Sequence, residues 1–334
     1  LTFLPTPPTA LLLAPVVLLV LWFTLPVRER ERPRTRRAGC GLAVLLALGL
    51  FVPWPPAPGP WVAFLDVGQG DATVIHASDG TTWLVDVGDN RGPGDAARNA
   101  VLPFLRRRRI RRLEGVVLSH RHRDHVGGLA TLLETVPVTG VYGAGFGGDR
   151  GTSAWVDSVL AAHDLVQGRV FASDTLRAGS SIRLVVLHPT PRDSVLAGNL
   201  NNVSVVLRYE DGPLTVLLPG DLEREGERRL LARRPNLEAR VLKVGHHGSA
   251  TSSTETFLEA IGPELAAVSC GVGNRYGHPN PETLGRLTRR AQRVHRTDLE
   301  GSLTVRPGRS GELEMHAYPP EPLIWDFPSG NAVH

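Results

Sequence analysis

Three imidazoles and a carboxylate fall within six residues in Ser119-His120-Arg121-His122-Arg123-Asp124-His125. The pattern His-x-His-x-Asp-His supplies the nitrogen and oxygen ligands that Zn²⁺ or Mn²⁺ takes. It follows directly on a β-branched run, so His120 and His122 occupy alternate positions and point one way, while Asp124 and His125 turn towards a second ion. Two divalent ions held side by side are the expectation. Val126-Gly127-Gly128 comes next, where glycine lets the backbone turn tightly into a helix. Any one of these histidines alone reads as an ordinary loop residue; the four groups at this spacing form a specific motif.

Two later clusters supply what the loop lacks. Leu217-Leu218-Pro219-Gly220-Asp221 places a carboxylate at the end of an apolar strand, where it can bridge two cations. Val244-Gly245-His246-His247-Gly248-Ser249 brings a histidine pair to another strand end. Strand-end Asp and His are usually turn residues, but in this order after the loop they read as ligands. Cysteine offers no alternative: Cys40 lies in an apolar run and Cys270 stands alone far downstream, which excludes a disulfide framework and a Cys-based zinc ribbon.

The elements that must position these groups follow from hydrophobic periodicity. Strands are expected at 61–66, 72–76, 82–87, 115–118, 182–187, 203–209, 214–218, 240–244 and 265–269, and helices at 127–135, 222–232, 254–260 and 281–291. Strands come in runs with helices between them, which predicts an α+β domain of two sheets sandwiched by helices.

Composition breaks near Pro60. Residues 1–58 read as membrane segments and a Pro-rich linker, 59–318 as the folded domain and 319–334 as a tail. Residues 10–27 are apolar apart from Pro15, Thr24 and Pro26, close to the ~20 residues that cross a bilayer. Residues 39–54 form a shorter apolar stretch, read as a second span. The arginine-rich loop between them, 28–37, belongs on the cytoplasmic side, which puts the folded domain outside the cytoplasmic membrane. Basic and acidic residues number 37 and 33, with Lys243 the only lysine; so small an excess favours anionic partners without choosing among them. The arginine run 106–112 reads as an exposed face of an arginine-biased chain. Because the chain opens on Leu1 and its only methionine is Met315, the expectation is a C-terminal piece of something longer.

The stretches Phe64-Leu65-Asp66-Val67-Gly68-Gln69-Gly70-Asp71-Ala72, Leu84-Val85-Asp86-Val87-Gly88, the His120 loop, Asn201-Asn202-Val203-Ser204-Val205-Val206-Leu207, Pro219-Gly220-Asp221, His246-His247-Gly248-Ser249 and Tyr276-Gly277-His278-Pro279 together resemble the metallo-β-lactamase superfamily. Within it, they resemble the C-terminal domain of ComEC-type competence proteins. The resemblance implies a metallo-β-lactamase fold, an αββα four-layer sandwich preceded by two transmembrane segments. It implies that His120 and His122 bind one ion, that Asp124 and His125 bind the other, that Asp221 bridges them and that His246 completes the second. Asp86, and with it Asp66, would stand behind the ligands. Asp124, His278 and His247 are assigned to the reaction, and Asn202, Ser204 and Ser249 to the substrate. His247 can instead stand behind the metal, and His278 can be a structural turn residue. Where the superfamily often has a further histidine before the bridging aspartate, this chain has Asn201-Asn202-Val203-Ser204, and His188 is the only nearby candidate.

The function implied is metal-dependent hydrolysis of DNA phosphodiesters during uptake across a bacterial membrane, degrading one strand. DNA, the membrane, the remaining channel portion of the same protein and other DNA-uptake components are the expected partners. A membrane-anchored lactonase, thioesterase or phosphorylcholine-type esterase, and a non-catalytic DNA-binding domain with structural metals, are the alternatives on the same scaffold.

Overall fold

A computed structural model of the chain describes residues 59–90, 94–146, 150–176 and 182–318. The expected membrane segments 10–27 and 39–54 and the tail 319–334 lie outside the described residues. Among the described residues no helix is long and apolar enough to cross a membrane. The chain divides into two units, Leu1–Gly59 and Pro60–His334, and the second carries everything below.

Two mixed sheets form its centre. The first holds β1 (Trp61–Phe64), β2 (Thr73–His76), β3 (Thr82–Val85), β4 (Gly115–Leu118), β5 (Val141–Gly143), β6 (Gln167–Arg169), β14 (Ser302–Pro307) and β15 (Leu313–Tyr318), ordered β15-β14-β1-β2-β3-β4-β5-β6. The second holds β7 (Thr175–Leu176), β8 (Arg183–His188), β9 (Val206–Asp211), β10 (Leu214–Leu218), β11 (Val241–Lys243), β12 (Leu265–Val268) and β13 (Arg293–Arg296), ordered β13-β12-β11-β10-β9-β8-β7. Each sheet is antiparallel on one side and parallel on the other. The parallel parts run β3 to β6 and β10 to β13.

The strands that reach the site are mostly apolar, with Thr82, Thr215 and Lys243 as the exceptions, because both their faces are covered. In β1, Val62 and Phe64 enter the core between the sheets, whereas Trp61 and Ala63 pack on the outer side. In β10, Leu214, Val216 and Leu218 face the core between the sheets, and Leu217 turns outward. The outer face of the first sheet carries the helices Leu102–Arg107, Leu129–Thr135 and Arg150–Ala162; that of the second carries Arg224–Ala232, Glu255–Ile261 and Pro281–Arg290. Each fully buried Val, Leu or Phe adds roughly 1.5–3 kcal/mol, so three contiguous apolar clusters make a rigid frame for what sits at the strand ends.

Several boundaries differ from expectation for local reasons. β1 stops at Phe64 because the chain turns: Asp66 Oδ1 accepts from Gly68 N, and Leu65 N donates to Ala72 O. β3 stops at Val85 because Asp86 takes a left-handed φ of 60°. The strand expected from 203 begins at Val206, since Leu200–Val203 is a turn of 3-10 helix. The glycines after the histidine loop are helical, with Gly128 at φ −77°. They serve close packing rather than a tight turn: a Cβ on Gly128 would meet Val87 O at 2.5 Å.

Candidate metal centre

The chemistry-bearing residues gather at the carboxyl ends of the parallel strands, the usual place for a ligand crevice in such sheets. β3 delivers Asp86, β4 delivers the His120 loop, β10 delivers Asp221 and β11 delivers His246 and His247. The turn between β1 and β2 brings in Asp71, whose N–H donates to Asp124 O. Asp221 reaches the centre through Pro219-Gly220, where Gly220 has φ +56° and a Cβ would meet Ser119 Cβ at 2.8 Å.

Asp221 Oδ2 is the hub. It lies 3.2 Å from His125 Nε2 and 3.8 Å from the Nε2 atoms of His120, His246 and His247. His120 Nε2 and His122 Nδ1 face each other at 2.9 Å. On the other side His247 Nε2 lies 3.4 Å from Asp124 Oδ2, which is 4.0 Å from His125 Nε2. His125 Nε2, His247 Nε2 and Asp221 Oδ1 are buried without a hydrogen bond. Converging buried lone pairs of this kind are costly unless a cation takes them up, so the donor set fits divalent metal.

His247, not His246, is the ring beside Asp124 and His125. The sequence has no means of choosing between neighbours in a doublet; the backbone decides it, with φ of 46° at His246 and 53° at His247. His246 instead places Nδ1 3.0 Å from Glu223 Oε1, and its side chain is 24% exposed.

A further layer fixes the rings. Asp86 Oδ2 sits 2.8 Å from His125 Nδ1 and also accepts from Ser119 Oγ, while Asp86 Oδ1 accepts from Ser119 N. Ser119 Oγ is in turn 3.1 Å from His120 Nδ1, and His247 Nδ1 meets Ser269 O at 3.0 Å. Securing one nitrogen commits the other to the centre. Behind His247 lies a buried ion pair, Lys243 Nζ to Asp71 Oδ2 at 2.6 Å, with Asp71 Oδ1 3.4 Å from His247 Nδ1. Asp71 therefore stands on the Nδ1 side of the histidines, with Lys243 occupying one of its oxygens, and it braces rather than faces the centre. Sequence reading missed Ser119, Asp71, Lys243, Glu223 and Asn201. The only signal for Lys243 was that the chain's single lysine interrupts the apolar run Val241-Leu242-Lys243-Val244.

Other sequence-assigned residues lie elsewhere. Asn202 is buried and its Oδ1 accepts from Gly226 N, capping the helix Arg224–Ala232 rather than lining the cavity. Ser204 Oγ accepts from Asp221 N and props the hub from beneath. Ser249 Oγ bonds Thr251 Oγ1 on the surface. Asp66 closes the turn after β1 and does not approach the histidines. His188 is buried away from the centre, bonded to Asn202 O and Arg233, and it leaves Asn201, not a histidine, beside His246 at 3.5 Å. Arg108 and Arg112 of the 106–112 run bond Tyr318 and Thr139 on the outside of the first sheet.

A cavity of about 520 Å³ opens over the centre, floored by His122, Asp124, Asn201, Asp221, His246 and His247. Gln69, Arg123, Gly151, Thr152, Tyr276 and His278 complete its walls. The loop carrying Tyr276 and His278 is pinned by Asn274, which donates to Gly271 O and His278 O and accepts from His278 N. Tyr276 is 55% exposed at the rim, with the Arg275 guanidinium 5.0 Å from its ring centre.

The electrostatics show cationic demand. Burial alone would lower the His247 pKa, but Asp221, Asp71 and Asp124 override it and raise it to about 10. His125 is likewise raised well above the ordinary histidine range, against burial, by Asp221, Asp86 and Asp124. Burial opposes ionisation of Asp221, yet His125 and His247 hold its carboxyl well below the usual range. Without metal, protons on the histidines supply the positive charge that these carboxylates require. Burial, helped by the charge on His125, pushes His120 and His122 down, and burial with His247 and His246 lowers His278 to about 4.

The chain is similar to known proteins of one family. Residues 65–272 match the profile of the metallo-beta-lactamase superfamily. ComE operon protein 3 of Bacillus subtilis (strain 168) is 32% identical over 277 residues, covering 78% of this chain and 34% of that protein. Competence protein ComA of Neisseria gonorrhoeae is 32% identical over 251 residues, covering 75% and 33%. The chain thus spans about a third of the length of these curated relatives. Among solved structures, the metallo-beta-lactamase fold protein YhfI from Bacillus subtilis aligns with a TM-score of 0.45 at 14% identity, over 71% of this chain and 96% of that one. With the family profile covering more than half of its length and the His-x-His-x-Asp-His loop folded around a shared aspartate, the chain belongs to the metallo-β-lactamase superfamily.

Proposed function

We propose that this domain is a two-metal phosphodiesterase acting on DNA during uptake. The observation that carries the chemistry is the set of buried, unbonded ligand atoms around Asp221. His120, His122 and Asp221 would hold one ion, and Asp124, His125, His247 and the same Asp221 the other, Zn²⁺ and Mn²⁺ both suiting such donors. When bound, a pair of divalent ions makes water a nucleophile near neutral pH and offsets charge on a phosphoryl oxygen.

The protein's own groups do the rest. Burial opposes ionisation of Asp124, but His125 and His247 keep it charged, so it serves as an anionic ligand and a hydrogen-bond acceptor that orients an attacking water. Neutral His278, on the cavity wall, can donate its one N–H to a phosphoryl oxygen. Arg123 and Arg275 add positive charge near the mouth, and Tyr276 offers a flat ring on which a base can stack.

Support for DNA as substrate comes from the competence proteins among the relatives, together with this polar, cation-flanked mouth. On the same reading, segments 10–27 and 39–54 tether the domain to the membrane with the hydrolase outside. The channel region and other uptake components are its partners. The test compares labelled single- and double-stranded DNA with a panel of small lactones, thioesters and phosphorylcholine esters at fixed metal. Turnover of DNA supports the proposal; turnover of small esters with none of DNA replaces it.

A further inference from the structure

Resting on the two-ion reading, we propose that His246 is the third protein nitrogen of the ion held by His120 and His122, and that Glu223 is the carboxylate that orients it.

Position argues first. His120, His125, His246 and His247 all present Nε2 to Asp221 Oδ2, and His246 does so at 3.8 Å, the same distance as His120 and His247. In the other three the opposite nitrogen is engaged, by Ser119, Asp86 and Ser269. His246 follows the same plan, with Nδ1 at Glu223. A carboxylate behind an imidazole fixes its tautomer and leaves Nε2 as the free donor.

The doublet then divides. Consecutive left-handed residues set the two rings 6.1 Å apart with 62° between their planes. His247 meets Asp124, whereas His246 has no such contact with Asp124 among the described residues and shares the cavity floor with His122. His120 and His122 give their ion two nitrogens and a share of Asp221, which leaves room for a third nitrogen beside a water in a five-coordinate site. The 201–204 segment before Asp221 carries no histidine to fill that place.

Glu223 is held as an orienting group should be. It accepts from Asn199 Nδ2, Asn201 Nδ2 and Thr251 Oγ1 besides facing His246. Asn201 Nδ2 also lies 3.5 Å from the His246 ring nitrogens. So many partners around one imidazole that is only 24% exposed fit a ligand better than a surface residue.

The experiment counts metal rather than turnover. The purified chain, its His246→Ala and Glu223→Gln variants and a His278→Ala control are loaded with Mn²⁺, dialysed and measured by elemental analysis and electron paramagnetic resonance. Wild type and His278→Ala should hold two ions per chain with the signal of a coupled pair. His246→Ala should hold one, with the signal of an isolated ion. Glu223→Gln should keep both sites with one weakened about 10- to 100-fold, and it serves as the test if His246→Ala does not fold. Two ions of unchanged affinity in both variants would overturn the assignment. A single ion in wild type would overturn the two-ion reading on which it rests.

Discussion

Replacing Lys243 by methionine tests how the centre is braced. The Lys243 and Asp71 side chains are 3% and 4% exposed, and their charges are 2.6 Å apart. Lys243 Nζ also donates to Val244 O. Met fills nearly the same volume, so the change removes charge rather than packing. At an effective dielectric of about 20 the gross attraction is roughly 6 kcal/mol, much of it offset by desolvation. The measurable quantity is the cost of leaving Asp71 buried without its partner, roughly 3–5 kcal/mol. His247 stays 3.4 Å from the other Asp71 oxygen, which favours the lower end. At 2–4 °C per kcal/mol for a domain of this size, about 3 kcal/mol lowers Tm by about 6–12 °C. Burial works against the Asp71 charge, but Lys243 and His247 keep its pKa depressed. A depressed carboxylate contributes stability above its unfolded pKa and loses it only as pH falls through the folded one. The difference between wild type and variant therefore persists from neutral pH to below pH 4. Thermal melts of wild type, Lys243→Met, Asp71→Asn and the double variant at matched metal content make the assay. The double variant should cost little more than Asp71→Asn alone, a coupling of about 2 kcal/mol. Strictly additive losses, or a Lys243→Met shift below 2 °C, would refute the brace.

Other consequences follow from the same geometry. In the metal-free chain His125 and His247 have raised pKa values, so the stability they contribute is complete below about pH 6.5 and is lost as pH climbs towards the His247 value of about 10; metal-free melts should fall over that window while metal-loaded melts stay flat. Metal has to displace those protons, and calorimetry in buffers of different ionisation enthalpy should register proton release on binding near neutral pH. Asn202→Ala should lower stability by about 1–2 kcal/mol through the lost cap at Gly226 N and leave kcat within a few-fold of wild type; a large loss of kcat at unchanged stability would restore Asn202 to the substrate. Tyr276→Ala should raise KM for single-stranded DNA, since a stacked base is worth about 1–3 kcal/mol, with little change in Tm; an unchanged KM would remove the ring from the binding surface.

What was legible in the sequence is what is local. The strands 115–118 and 214–218 match β4 and β10 end to end, because apolar residues buried on both faces leave a pattern that needs no partner to interpret. The ligand loop was legible because its members are neighbours in the chain. The brace was not, since Asp71 and Lys243 meet only after the first sheet packs on the second, and Asp66 looked as good as Asp71 in the same glycine-rich turn. The His246-His247 doublet was visible as chemistry, but which ring serves which side depends on two left-handed φ values that no residue type announces. Asn202 and Ser204 were near the right place and face the wrong way, because the 3-10 turn Leu200–Val203 directs them to a helix end and to the Asp221 backbone. β14 was passed over for a related reason: it is specified by pairing with β1, at the opposite end of the domain sequence.

The domain, with metal held around Asp221, is proposed to hydrolyse DNA. The most direct test strips the purified chain of metal, restores Zn²⁺ or Mn²⁺ and follows labelled single- and double-stranded DNA beside the Asp124→Ala variant. Cleavage should return with metal in the wild-type chain and be at least about a hundredfold slower in the variant, with both proteins equally folded. Equal cleavage by the variant, or none by a folded, metal-loaded wild type, would contradict the proposal.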